Sequence, residues 1–185
     1  MKKIIALVIG TLACAAMAFA LPACGCSNFD TITEAYESVA EATKVVSTIT
    51  VERGDSLLNS REESYEKTES GYSLVVTTTV RNEIGSGDGM FTVTESEPQT
   101  VSESDVSFGE LPSESSFSDI TYTESDGGLT MTATVPASVL DLGSEDVTGD
   151  IACTIEVSGD NFMSLTMEYS TPDGNIVTIA YIYSY

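Results

Sequence analysis

The chain has 185 residues, enough for one domain with a sizeable core, and it contains 29 acids, seven basic residues, no histidine and no tryptophan. All 29 acids lie after Cys24 and two of the seven basic residues before it, so the chain from Cys24 onward carries a net charge of −24. Scattered cations cannot assemble a basic patch, which excludes nucleic-acid binding, and the lack of histidine excludes Ser-His and Cys-His catalysis.

Lys2 and Lys3 begin the chain with a short positive region. Residues 4–21 then form an unbroken uncharged run rich in Ile, Ala, Leu and Met, followed by small residues at Ala20 and Ala23. That is the layout of a secretory signal peptide. Leu21-Pro22-Ala23-Cys24 resembles the lipobox of bacterial lipoproteins, in which a leucine and two small residues precede the cysteine that takes a diacylglycerol thioether. Ala23-Cys24-Gly25-Cys26 is a rival box, with Gly25 suited to cleavage and Ala23 in the leucine position. The resemblance implies a signal peptide over 1–23, lipidation at Cys24 with Cys26 as the alternative, and a tether over 24–29. It implies an extracytoplasmic domain held at the bacterial cell membrane by its lipid. An acidic body is repelled by anionic headgroups, so such a domain contacts the membrane through its anchor.

Residues 30–47 read as one helix, because Ile32, Ala35, Tyr36, Val39, Ala42 and Val46 recur at helical spacing. Thr31-Ile32-Thr33-Glu34 has the form of a capping box, and Lys44 falls near the negative end of the dipole. Glu34, Glu37 and Glu41 on the polar face suit a helix packed on a sheet better than one lying on a membrane. The chain after the helix is rich in Thr, Val and Tyr and predicts antiparallel strands. "VVSTITVER" follows the helix directly. "REESYEKT" and "YSLVVTTTVRNEI" face each other across Glu69-Ser70-Gly71, and "GSGDG" turns into "MFTVTES". "DITYTES", "LTMTATVP", "VTGDIACTIEVS", "NFMSLTMEYS" and "NIVTIAYIYSY" complete the set, with Gly-bearing turns that favour hairpins. The last strand is apolar on both faces and therefore central or covered on both sides. Between 95 and 118 serines, acids and two prolines dominate, with isolated Val101, Val106, Phe108, Leu111 and Phe117. A structureless loop of that length is uncommon in a compact domain, so this acidic segment is expected to lie across the sheet as a flap.

Cys153 shares one strand face with Ile151, Ile155 and Val157 and reads as a small buried hydrophobe. The sequence leaves open a disulfide from Cys153 to Cys26. No metal or cofactor is expected: "GSGDG" and "SGDN" lack the spaced acids of a calcium loop, and Cys-x-Cys has no histidine to complete a zinc site. Lys44 and Lys67 do not sit where a desolvated catalytic base would, and no carboxylate stands in an apolar setting that would raise its pKa. The chain is therefore read as non-enzymatic.

The helix-into-strand start "AYESVAEATKVVSTITVER" and the closing series "GGLTMTATVP…MEYSTPDGNIVTIAYIYSY" resemble the lipoprotein-carrier-like (LolA-like) superfamily. That resemblance implies an α+β fold over 30–185, with an N-terminal helix on a curved antiparallel sheet of about eight or more strands. Such a half-open barrel holds acyl chains or other apolar ligands on its concave side. On this chain Val75, Val93, Met131, Val135, Ile155, Met163, Leu165, Met167, Ile179 and Tyr181 are the candidates to line that side. Val93, Met131, Val135, Met163, Leu165, Met167 and Tyr181 are the expected ligand contacts, and methionines suit an adaptable apolar pocket. The competing expectation is an interaction module whose acidic surface binds a cationic partner.

Overall fold

The computed structural model describes residues 27–82, 91–143 and 146–185. The signal segment, Cys24, Cys26 and the "GSGDG" turn lie outside the described residues.

The first helix, α1, spans Asn28–Tyr36 and tightens into a 3-10 turn over Glu37–Glu41. Its cap differs from the expected one. Ser27 Oγ accepts the Asp30 N–H at 3.1 Å, and the Ser27 N–H donates to the Asp30 carboxylate at 2.9 Å, a reciprocal capping box. The helix therefore begins inside the stretch expected to be tether, with Phe29 already buried. It also ends earlier than its apolar stripe suggested. Ala42 is extended and β1 begins at Lys44, because Val45, Val46, Ile49 and Val51 are β-branched residues that lose χ1 freedom in a helix and pack well in a pleat.

Among the described residues ten strands form a single antiparallel sheet: β1 Lys44–Arg53, β2 Ser56–Thr68, β3 Gly71–Arg81, β4 Phe91–Glu95, β5 Gln99–Val101, β6 Ser118–Ser125, β7 Gly128–Val135, β8 Thr148–Ser158, β9 Asn161–Ser170 and β10 Ile176–Ser184. Their order is β4-β3-β2-β1-β10-β9-β8-β7-β6, with β5 also on β3. Each half of the chain thus builds its own meander, and the β1–β10 pairing, Lys44 opposite Ser184 through Glu52 opposite Ile176, joins them. β4 and β5 run along the same edge of β3, interrupted at Ser96, whose hydroxyl accepts the Val76 N–H at 3.0 Å.

Directly paired residues point to the same face of a sheet, so the registers fix long cross-strand rows. One row runs Val76, Glu63, Ser47, Tyr181, Leu165, Ile155, Met131, Tyr122 from β3 to β6. The next runs Thr78, Arg61, Ile49, Ile179, Met167, Cys153, Ala133. These rows lie on the helix face. α1 and its 3-10 extension sit on β9, where the Tyr36 ring meets Phe162 edge-on at 5.1 Å.

The segment between β5 and β6 is a strap that crosses this face from one sheet edge to the other. Val106, Phe108, Leu111 and Phe117 pack into or against the core, with Phe117 on Phe29 and Phe108 on Tyr72. Tyr36 Oη donates to the Gly109 carbonyl at 2.6 Å, and Tyr183 Oη donates to the Phe108 carbonyl. Gly109 has φ +68°, and a Cβ there would lie 2.5 Å from the Tyr181 ring, so only glycine lets the strap lie this close. Among the described residues every member of the core cluster falls between Phe29 and Tyr183, so the chain from Ser27 keeps that cluster whole.

Candidate functional site

The helix face has two unequal halves. Over β7, β8 and β9 it is filled: Met131, Ile151, Ile155, Leu165, Val135 and Met167 are buried, closed in by α1, by the strap and by Val139, Leu140 and Leu142 after β7. Over β1, β2 and β3, beyond the strap, the same face is open. Ile49 is 42 % and Val80 47 % exposed there, and Val51, Val76 and Ile179 are half-buried.

The registers sort the expected ligand contacts. Met131, Val135, Leu165, Met167 and Tyr181 share the helix face. Met131, Val135, Leu165 and Met167 belong to the filled half, and half-buried Tyr181 lies at the boundary. Val93 does not join them. It pairs with Thr79 and Val75 pairs with Ser64, whereas the helix face of β3 carries Tyr72, Leu74, Val76 and Thr78, so Val75 and Val93 point to the far face, where Val93 is 63 % exposed. Two adjacent valines in "LVVTTTV" offered either register, and a one-residue choice flips a strand. Met163 is displaced by a bulge: Val157 pairs with Phe162 and Glu156 with Ser164, leaving Met163 without a partner. The extra residue turns Phe162 into the core and leaves Met163 half-buried.

At the boundary between the halves lies a cleft of about 130 Å³ lined by Ser47, Ile49, Arg61, Glu63, Ser107 and Tyr181. The β2 alternation places Arg61, Glu63 and Tyr65 in line. Glu63 Oε1 accepts from Arg61 Nε at 3.0 Å and Nη2 at 2.6 Å, and Oε2 accepts from Tyr65 Oη at 2.7 Å. The Tyr65 hydrogen bond, aided by Arg61, holds the Glu63 carboxyl below its ordinary range. Burial and the Glu63 carboxylate push Tyr65 up to about 12. Ser47, Ser107 and Tyr181 add hydroxyl-bearing side chains to the lining, and the one buried side-chain polar atom without a partner among the described residues is Tyr72 Oη, outside it. Tyr181 aside, none of these residues stood among the expected contacts. The signal was present in "SREESY", where alternation puts a charged pair on the same face as a tyrosine that has to be buried.

A second hollow, of about 300 Å³, lies at the other end of the sheet beside Asn28, Thr31, Glu124, Gly127 and Gly159. Ser27 and Asp30 already satisfy the helix start there. Cys153 is a buried free thiol whose pKa burial raises to about 12, so it is not a ready nucleophile. Among the described residues no group of three or more His, Cys, Asp or Glu is placed to hold a metal. No helix among them is long and apolar enough to cross a membrane.

No family model matches the chain, and no curated protein matches it. Among solved structures it is similar to a redesigned β-barrel, mFAP1, bound to DFHBI, at 15 % identity and a TM-score of 0.18, over 78 % of this chain and 97 % of that one.

Proposed function

We propose that this chain is a non-enzymatic, lipid-anchored extracytoplasmic protein of a bacterial cell membrane. Its sheet acts as a half-open barrel of the lipoprotein-carrier-like kind and takes an apolar or amphiphilic ligand on the open half of the helix face. The observation that carries this reading is the exposure of Ile49 at the end of a row that continues through Ile179 and Met167 into the apolar core. Water-exposed apolar surface of this kind marks interaction or ligand sites when it is contiguous and rimmed by polar groups. Arg61 and Asn59 on β2 form the polar border of the Ile49–Val51 surface, with Val80 beyond them on β3. Met131, Val135, Leu165 and Met167 then serve as packed backing, and Ile49, Val51, Val80, Ile179 and Tyr181 meet the ligand.

Titrating the chain from Ser27 with an environment-sensitive apolar dye tests this. Saturable binding is expected, and Ile49→Glu should abolish it without moving the unfolding midpoint. An absence of saturation, or binding indifferent to Ile49→Glu, overturns the reading. The anchor rests on the lipobox resemblance. Labelling with radioactive palmitate in a bacterial host should mark the full chain and fail for Cys24→Ser; loss of label in Cys26→Ser instead moves the anchor to Cys26, and no label in the wild type removes it. The net charge of −24 from Cys24 onward favours a second reading, an acidic interaction module, for which salt-sensitive capture of a cationic protein is the test.

A further inference from the structure

We propose that the cleft at Arg61 is a head-group site for a carboxylate-bearing amphiphile, whose hydrocarbon lies along Ile49, Ile179 and Val51. This rests on the amphiphile reading above and specifies its head group.

The cationic side chains among the described residues are Lys44, Arg53, Arg61, Lys67 and Arg81. Lys44 is on the far face and pairs with Glu66. Arg53 is tied to Asn175 beside the β9–β10 turn, Lys67 donates to the Ala40 carbonyl, and Arg81 follows the far-face register opposite Phe91. Arg61 is the one placed on the open half of the helix face, between Ile49 on β1 and Thr78 on β3. An ion pair this exposed contributes little to stability, typically below about 1 kcal/mol, so folding alone does not call for a charge beside Ile49.

The local chemistry suits a carboxylate. A guanidinium carries five N–H donors in a planar fork. Arg61 uses two of its donor positions on Glu63, which also fixes the orientation of the group, and its side chain remains 55 % accessible. Ser47, Ser107 and Tyr181, each bearing a hydroxyl, line the same cleft. A planar carboxylate matches one free edge of the fork and leaves an oxygen for a hydroxyl. The cleft holds about 130 Å³, the share of roughly four waters, which is room for a carboxylate and its first methylenes and too little for an acyl chain. The chain must therefore leave along the open row, where Ile49 and Ile179 are directly paired and Val51 follows two residues on. A dianionic phosphate head would bring twice the charge into a strongly anionic molecule and has only one guanidinium to meet it.

Calorimetric titration of the chain from Ser27 with decanoate and with decanol, on wild type, Arg61→Gln and Arg61→Lys, tests the assignment. Wild type should bind decanoate about tenfold or more tightly than decanol, the scale of one charge-assisted hydrogen-bond pair. Arg61→Gln should erase that preference while leaving decanol within about twofold, with Arg61→Lys in between. Lowering the pH only just below the ordinary carboxyl range protonates the ligand while Glu63, held below that range by Tyr65 and Arg61, keeps its charge, and it should bring decanoate down to the decanol affinity on the wild-type protein. Equal affinity for the two probes in wild type, or a preference that survives Arg61→Gln, overturns the head-group assignment while the amphiphile reading stands. Failure of both probes to bind overturns both.

Discussion

Along a single cross-strand row, exposure falls from 42 % at Ile49 on β1 to 1 % at Cys153 on β8. The residues at both ends are apolar and the strands are equally regular, so hydrophobicity does not decide which half is core. Cover does. The β7–β9 half has α1, the strap and the Val139–Leu142 turn laid over it, whereas beyond the strap the β1–β3 half has no such cover among the described residues. An antiparallel sheet can leave one face in water; this one leaves half of a face.

The contrast is most strongly tested by truncating the same kind of side chain in each half. Leu165→Ala should cost about 3 kcal/mol or more in urea denaturation, from lost transfer energy and an unfilled cavity, and a cost below about 1 kcal/mol would mean that the filled half is not packed as described. Alkaline pH should act next, on the buried titratable groups. Burial pushes Cys153 to about 12 and Tyr65 to about 12, and raises Tyr183 as well. In the unfolded chain these groups ionise near their ordinary values, about 8.5 for the thiol and 10 for the tyrosines, while the folded chain keeps them neutral. Stability should therefore be fully present below about pH 8.5 and decline as the pH climbs toward 12; flat urea midpoints between pH 8 and 11.5 would contradict this.

Gly109→Ala probes the strap that divides the halves. Its positive φ and the 2.5 Å approach to the Tyr181 ring predict a loss of about 2 kcal/mol in thermal unfolding, and a neutral result would show that the strap yields freely. Glu63→Gln should cost about 1 kcal/mol at pH 7. Because the folded Glu63 pKa is depressed, that contribution is present above the ordinary carboxyl range and lost as the pH falls through the folded value, so the two proteins should converge in acid. Ile49→Ala should change stability by less than about 0.5 kcal/mol, as an exposed position does; a loss near that of Leu165→Ala would erase the distinction between the halves.

The element order was legible because alternation and Gly-bearing turns are local signals. β1 through β4 and β6 through β10 fall where "VVSTITVER" to "NIVTIAYIYSY" place them. What was not legible needed partners. The helix stripe ran on to Val46 because Val45 and Val46 fit either period, and only pairing with Ser184 and Glu66 commits the chain to a strand from Lys44. β10 is central, as its two apolar faces suggested, yet Ile182 on the far face is 50 % exposed. Val93 and Met163 went astray for the same reason, since register and bulges are set between strands and not within them. At the candidate site, Tyr181 and the β9 apolar residues were visible from alternation. Arg61 and Ser47 were not, because their meaning depends on where the strap crosses.

The most direct test of the account is a methyl-resolved NMR titration of the isoleucines with decanoate. Shifts are expected at Ile49 and Ile179 on the open half, with Ile151 and Ile155 unmoved. Shifts at Ile151 and Ile155, or none at Ile49 and Ile179 as decanoate is added, would contradict it.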